Sequence, residues 1–168
     1  IAEELHYDSI YHEHLFYFSI KSLCVLFVQY GLFPFDVLES PISGGSLVLF
    51  FSRKELDLSM ALRDSIETEE LSDLNNLSTW QHFGVKSEKH AQSLKSIVAD
   101  YAKNGKLVAY GASARSSTLM NFAGISAKEI DYVIDRNPIK HGLYTPGTNI
   151  PIVSYEDGVR KLDGKHLL

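Results

Sequence analysis

Residues 11–14 read Tyr-His-Glu-His: a phenol, two imidazoles and a carboxylate in succession, followed by the aromatic run Leu-Phe-Tyr-Phe-Ser at 15–19. Imidazole titrates near neutrality, so His12 and His14 are candidates for taking a proton from a weak carbon or oxygen acid. The same four residues have two plainer readings. They could be a solvated polar stretch, or part of a metal site. The metal reading is the weaker, because no Cys or further His stands at a useful spacing from His12, Glu13 and His14. If the segment is extended, neighbouring side chains face opposite ways, and His12 is expected to point away from Tyr11 and His14.

A second group of chemistry-bearing residues lies near the end of an apolar run. The run at 106–110 ends in Tyr110, turns at Gly111, and continues into the small-residue stretch 112–124 and a further apolar run at 130–135. The separation of Gly111 from Asp135 resembles a dinucleotide-binding fingerprint, yet Ser113 and Ser116 occupy two of its three glycine positions. Glycine lets the backbone approach a pyrophosphate and serine does not, so ordinary NAD binding is disfavoured. Two readings stay open for this turn. Its serines cap a helix and nothing more, or a phosphate sits at the helix N-terminus assisted by Ser113 and Arg115. The Pro/Gly-containing stretch 135–152 follows, where Asp135, Lys140 and the Thr-Pro-Gly at 145–147 are candidates for lining a ligand cleft.

These residues require elements to hold them. Ser19 is a candidate N-cap for a helix with Ile20, Leu23, Phe27 and Tyr30 on one face and Gly31 as its stop. Short apolar runs at 33–40 and 46–54, separated by Pro-Ile-Ser-Gly-Gly, predict neighbouring strands. An acidic stretch at 64–73 and the polar Asn-Asn-Leu-Ser-Thr at 75–79 read as a boundary region. A helix over 87–105 follows, with Ala91, Leu94, Ile97, Val98 and Tyr101 on its apolar face. The runs at 106–110 and 130–135 then flank a helix as a β-α-β crossover, which predicts a parallel α/β sheet.

Composition narrows the function classes. The chain has 168 residues, 45% hydrophobic and 22% charged, which suits a folded globular protein. A net charge of -5 is opposed to sequence-independent nucleic-acid binding, which needs a basic footprint. The single cysteine, Cys24, provides no disulfide framework, and neither a membrane span nor a signal peptide is legible. A cytoplasmic protein with a small-molecule ligand is the expectation. The start on Ile1 and the apolar ending suggest a piece of a longer chain.

Four blocks carry a family resemblance: 7–19 (YDSIYHEHLFYFS), 42–47 (ISGGSL), 107–125 (LVAYGASARSSTLMNFAGI) and 130–152 (IDYVIDRNPIKHGLYTPGTNIPI). Together they resemble the nucleotide-sugar C-methyltransferases, which use S-adenosylmethionine to methylate a ring carbon of a TDP-linked deoxysugar. The resemblance implies a three-part enzyme with an N-terminal zinc-binding domain, a central class I methyltransferase domain and a C-terminal Rossmann-like α/β domain. On that scheme residues 1–75 are the tail of the methyltransferase domain plus a connector, and residues 76–168 are the C-terminal domain. Neither the Gly-rich donor loop nor a zinc-binding cysteine cluster falls within this stretch, so the isolated piece is expected to be inactive and to bind the methyl donor weakly. The resemblance further implies that His14 is the base, with Glu13 and Tyr11 orienting the sugar or its keto oxygen. It points to Gly44 and Gly45 at the sugar ring, and to Tyr110, Gly111, Ser113, Arg115, Asp135 and Lys140 as substrate-binding positions. Arg115 stands where Lys is expected and His141 where Gln is common; Arg keeps the charge and adds a planar fork. Two rival readings remain: a non-catalytic nucleotide or sugar-phosphate binding domain, and a regulatory interaction module.

Overall fold

The computed structural model describes residues 5–42, 45–162 and 167. They form two compact units, one from residues 16–81 and the other from residues 1–15 joined by 82–168. The Tyr-His-Glu-His segment thus belongs to the same unit as the C-terminal sheet, although the 66 residues 16–81 of the other unit intervene in sequence. The division at 81/82 differs from the 75/76 boundary expected from the resemblance.

In the unit of 16–81, helix α1 (Ile20–Val28) starts as its sequence requires. The Ser19 side chain accepts from Ser22 N and the Ser22 side chain accepts from Ser19 N, a reciprocal capping box. Strands β1 (Phe33–Ser40) and β2 (Ser46–Ser52) pair antiparallel, with an irregularity between Pro34 and Asp36 where proline cannot donate to the ladder. Helix α2 (Met60–Leu71) occupies most of the stretch expected to be an acidic connector. Ser59 caps it, and Leu62, Ile66 and Glu69 follow at helical spacing on its inner face. Leu62 packs with Ile20 and Val37, and Cys24, Leu49 and Leu58 complete that core.

Helix α3 (Leu77–Ala102) starts ten residues before the expected position of 87. Asn-Asn-Leu-Ser-Thr has weak helix propensity, but side chains of the first turn reach back: Thr79 Oγ1 donates to Asp73 O at 2.9 Å and Trp80 Nε1 to Leu74 O at 2.8 Å. Those tertiary bonds override propensity.

The C-terminal unit is α/β. Strands β3 (Leu107–Tyr110), β4 (Ile130–Ile134) and β5 (Ile152–Val153) form a parallel sheet in the order β3-β4-β5, and helix α4 (Ala114–Ala123) crosses from β3 to β4. Leu167 adds an isolated parallel bridge to Val108. Both sheet faces are covered, as parallel sheets require. Leu107, Ala109, Ile130 and Val133 pack with Ala91, Val98, Met120 and Ala123 from α3 and α4. Val108, Tyr132 and Ile134 face the other way and pack with Val153 and Leu162, near the short helix α5 (Tyr155–Arg160). Among the described residues no helix is long and apolar enough to cross a membrane, and no group of three or more His, Cys, Asp or Glu side chains could hold a metal ion.

Candidate functional site

The Tyr-His-Glu-His segment is a turn. His14 N donates to Tyr11 O at 2.9 Å, so the segment curls over one i-to-i+3 bond instead of running extended. The expectation that His12 would point away from Tyr11 is corrected accordingly: Tyr11 and His12 both line one cavity. Strict alternation would in any case have put His12 and His14 on the same face. The His14 ring instead lies 4.1 Å from the Tyr11 ring, and its Nδ1 is 2.8 Å from Ser9 O. A carbonyl can only accept, so Nδ1 carries the proton and Nε2 carries the lone pair in neutral His14.

The cavity lies wholly within the C-terminal unit and encloses about 790 Å³. That is ample for a nucleotide-sized ligand. Ala112, Ser113 and Ala114 bring the start of α4 to it, Asn121 and Phe122 bring the end of that helix, Lys140, Leu143, Tyr144 and Pro146 come from the connection between β4 and β5, and Ile152 opens β5. Its wall is mostly apolar and aromatic, with Ser113, Asn121, Lys140 and His12 as polar points.

Three of the expected binding residues serve first to hold this wall in shape. Ser113 caps α4 through a second capping box with Ser116. Asp135, at the end of β4, accepts from Ala112 N at 2.8 Å through Oδ2 and from Asn137 N at 2.8 Å through Oδ1. Lys140 Nζ donates to Ala112 O at 2.7 Å and to Asp135 Oδ2 at 3.2 Å. Burial pushes the Asp135 carboxyl up, but those two N–H groups and the Lys140 ammonium outweigh it and hold the group below the usual carboxylate range. Opposite them, Asn121 Nδ2 donates to Pro146 O at 2.9 Å, and Gly147 has φ +74° and so little room that an added Cβ would strike Asn121. Thr145 and Thr148, both buried, bond to each other at 2.6 Å behind that turn.

The other candidates lie elsewhere. Arg115 does not line the cavity; its Nε donates to Asp8 Oδ2 at 2.7 Å, and that hydrogen bond pushes the guanidinium above its ordinary range despite partial burial. Gly111 adopts φ +93° at the strand-to-helix turn, a backbone position suited to glycine, and half-exposed Tyr110 ends β3. His141 Nε2 meets Asp135 O at 2.8 Å. Gly45 has φ +111° in the hairpin between β1 and β2 of the other unit, and Gly44 lies outside the described residues. The sequence reading missed Asp8, Ser9 and Phe122. The signal for Asp8 was its place three residues before Tyr11, but its partner is 107 residues away.

Comparison with known proteins fits this geometry. The family described as the C-methyltransferase C-terminal domain matches residues 41–163. The C-methyltransferase NovU of Streptomyces niveus is 32% identical over 165 residues, an alignment that covers 96% of this chain and 39% of that protein. The chain therefore spans well under half the length of this relative.

Proposed function

Since the chain belongs to the C-methyltransferase C-terminal domain family, we propose that it holds the acceptor and the proton-abstracting histidine of an S-adenosylmethionine-dependent enzyme that methylates a ring carbon beside a ketone in a nucleotide-linked deoxysugar. The observation that carries this reading is the convergence of Tyr11 and His12 with the first turn of α4 on one cavity; Glu13 and His14 do not line it, and His14 lies behind Tyr11, ring to ring at 4.1 Å. Ser113, Lys140 and the apolar and aromatic walls suit a ligand with a polar, anionic part and a flat ring, and a nucleotide has both.

The ring carbon beside a ketone loses its proton only if the resulting negative charge is shared with oxygen. His14 Nε2 is the atom to take that proton, because Ser9 O fixes the proton on Nδ1. The imidazolium formed is then stabilised by the same carbonyl. Tyr11, its ring tilted 36° against that of His14 and on the cavity wall, donates its phenolic O–H to the developing enolate oxygen, and to Glu13, next in the turn, falls the orienting of a sugar hydroxyl. His12, on the cavity wall, contacts the acceptor without acting as base. When bound, S-adenosylmethionine would supply an electrophilic sulfonium methyl, the S–CH3 bond breaking as the ring C–CH3 bond forms and the sulfur leaving as a neutral thioether. Its own binding residues are not the turn at 111–113: Asp135, which would have to meet ribose hydroxyls there, is engaged by Ala112, Asn137 and Lys140. No step is assigned to this chain's residues beyond binding the acceptor and moving its proton.

In the full-length enzyme, His14→Asn is expected to lower methyl-transfer turnover by about 10²- to 10⁴-fold, the usual contribution of a general base, with acceptor affinity nearly unchanged. His12→Asn is expected to raise the acceptor KM more than it lowers turnover. Full turnover in His14→Asn overturns the assignment.

A further inference from the structure

Arg115 was a candidate for phosphate, yet it is tied to Asp8, and Asp8 belongs to the short 3-10 turn Tyr7–Ser9 immediately before the Tyr-His-Glu-His segment. That turn is fastened to the C-terminal unit at two points. At the first, Arg115 Nε and Asp8 Oδ2 meet at 2.7 Å, with the Arg115 side chain 40% exposed and that of Asp8 23%. At the second, the Tyr7 ring is only 6% exposed and packs 5.1 Å from Phe122, while its hydroxyl and His90 Nδ1 share a hydrogen bond at 2.8 Å. Burial and the Asp8 charge both push the Tyr7 phenol up, so it keeps its proton.

Ser9 directly follows Asp8 in the same turn, and its carbonyl is the acceptor for His14 Nδ1. The chain of contacts is therefore continuous: first turn of α4, Arg115, Asp8, the backbone at Ser9, the His14 ring. We infer that Asp8 and Arg115 are positioning residues for His14, holding the Ser9 carbonyl where it selects the Nδ1–H tautomer and so leaves the basic lone pair on Nε2. This deepens the proposed function and rests on it only for the kinetic consequence; the tautomer is a property of the chain whether or not His14 is the base. A bridge that served stability alone would contribute little, because partly exposed ion pairs are worth about 0–1 kcal/mol, and it would leave the imidazole as it was. Partners that orient a catalytic group from behind it typically matter about 10- to 100-fold in activity.

The test is nitrogen NMR of the full-length enzyme carrying 15N-labelled histidine, with His14 assigned by its loss in His14→Asn. In wild type, His14 Nδ1 is expected to have the shift of a protonated nitrogen and Nε2 that of a lone-pair nitrogen. Arg115→Ala and the near-isosteric Asp8→Asn are both expected to move the two shifts toward each other as the tautomers mix, and Arg115→Lys is expected to restore part of the difference. Methyl-transfer turnover should fall by about 10- to 100-fold in the first two variants. The double variant should be no worse than either single one, because both remove one contact. Unchanged His14 shifts in folded Arg115→Ala and Asp8→Asn overturn the inference. Shifts that mix while turnover stays at the wild-type level uphold the positioning and sink the base assignment instead.

Discussion

Helices α1 and α4 begin in the same way and end up in different surroundings. Each starts at a serine with φ -90° and ψ 165°, and each closes a capping box onto a second serine three residues later. At α1 a carboxylate of the protein completes the start: Glu69, 8% exposed, accepts from Ile20 N at 2.5 Å, Lys21 N at 3.0 Å and Asn75 Nδ2 at 2.9 Å. At α4 the neighbouring amide Ala112 N goes to Asp135, and the first turn itself borders a cavity. Local sequence chemistry thus builds a helix start, while the tertiary partner decides whether that start is closed as structure or left facing a space where a ligand can lie.

Removing the carboxylate at α1 should have the largest effect on stability. Glu69→Ala leaves buried N–H groups without their acceptor and is expected to cost about 1–3 kcal/mol, measured by denaturant unfolding followed through the fluorescence of Trp80 in the same unit. Glu69→Gln should cost less, because its amide oxygen still accepts. Equal stability of Glu69→Ala and wild type would remove the claim that α1 is closed by this residue.

The caps themselves sharpen the contrast. Ser19→Ala and Ser113→Ala should each cost about 1 kcal/mol of stability, since they lose the same bond. Only Ser113→Ala should also weaken binding of a nucleoside diphosphate to the full-length enzyme, by about 3- to 10-fold on titration calorimetry, matching one hydrogen bond of about 0.5–1.5 kcal/mol. Parallel effects of both variants on affinity would mean that the cavity at α4 has no special part in binding.

The smallest effect concerns acid. Asp135 is held below its ordinary range in the folded chain, so the folded state resists its protonation more than the unfolded chain does. Its contribution is fully present above an unfolded value of about 3.9 and is lost as pH falls through the lower folded value. Below about pH 4, wild type should therefore lose stability more steeply than Asp135→Asn, as followed by thermal unfolding across that range.

Much of the framework was legible because its signals are local. Ser19 and Gly31 bracketed α1, the β-α-β pattern gave the parallel sheet, and Gly111 marked the turn into α4. What escaped reading depends on distant partners. Helix α2 looked like an acidic connector because Glu69 reads as one more surface charge until Ile20, 49 residues away, is seen to donate to it. Arg115 looked like a phosphate ligand because Asp8 lies 107 residues before it. The shape of the Tyr-His-Glu-His segment turned on a single backbone bond that residue types do not reveal.

In the proposed function, His14 removes the ring proton. The most direct measurement is exchange of that proton with deuterated water, followed by NMR of the acceptor on the full-length enzyme without methyl donor, under conditions where wild type exchanges. Exchange should fall by about 10²- to 10⁴-fold in His14→Asn and persist in His12→Asn. Exchange that survives in His14→Asn but vanishes in His12→Asn would transfer the base to His12, and exchange that survives in both would remove residues 11–14 from the chemistry.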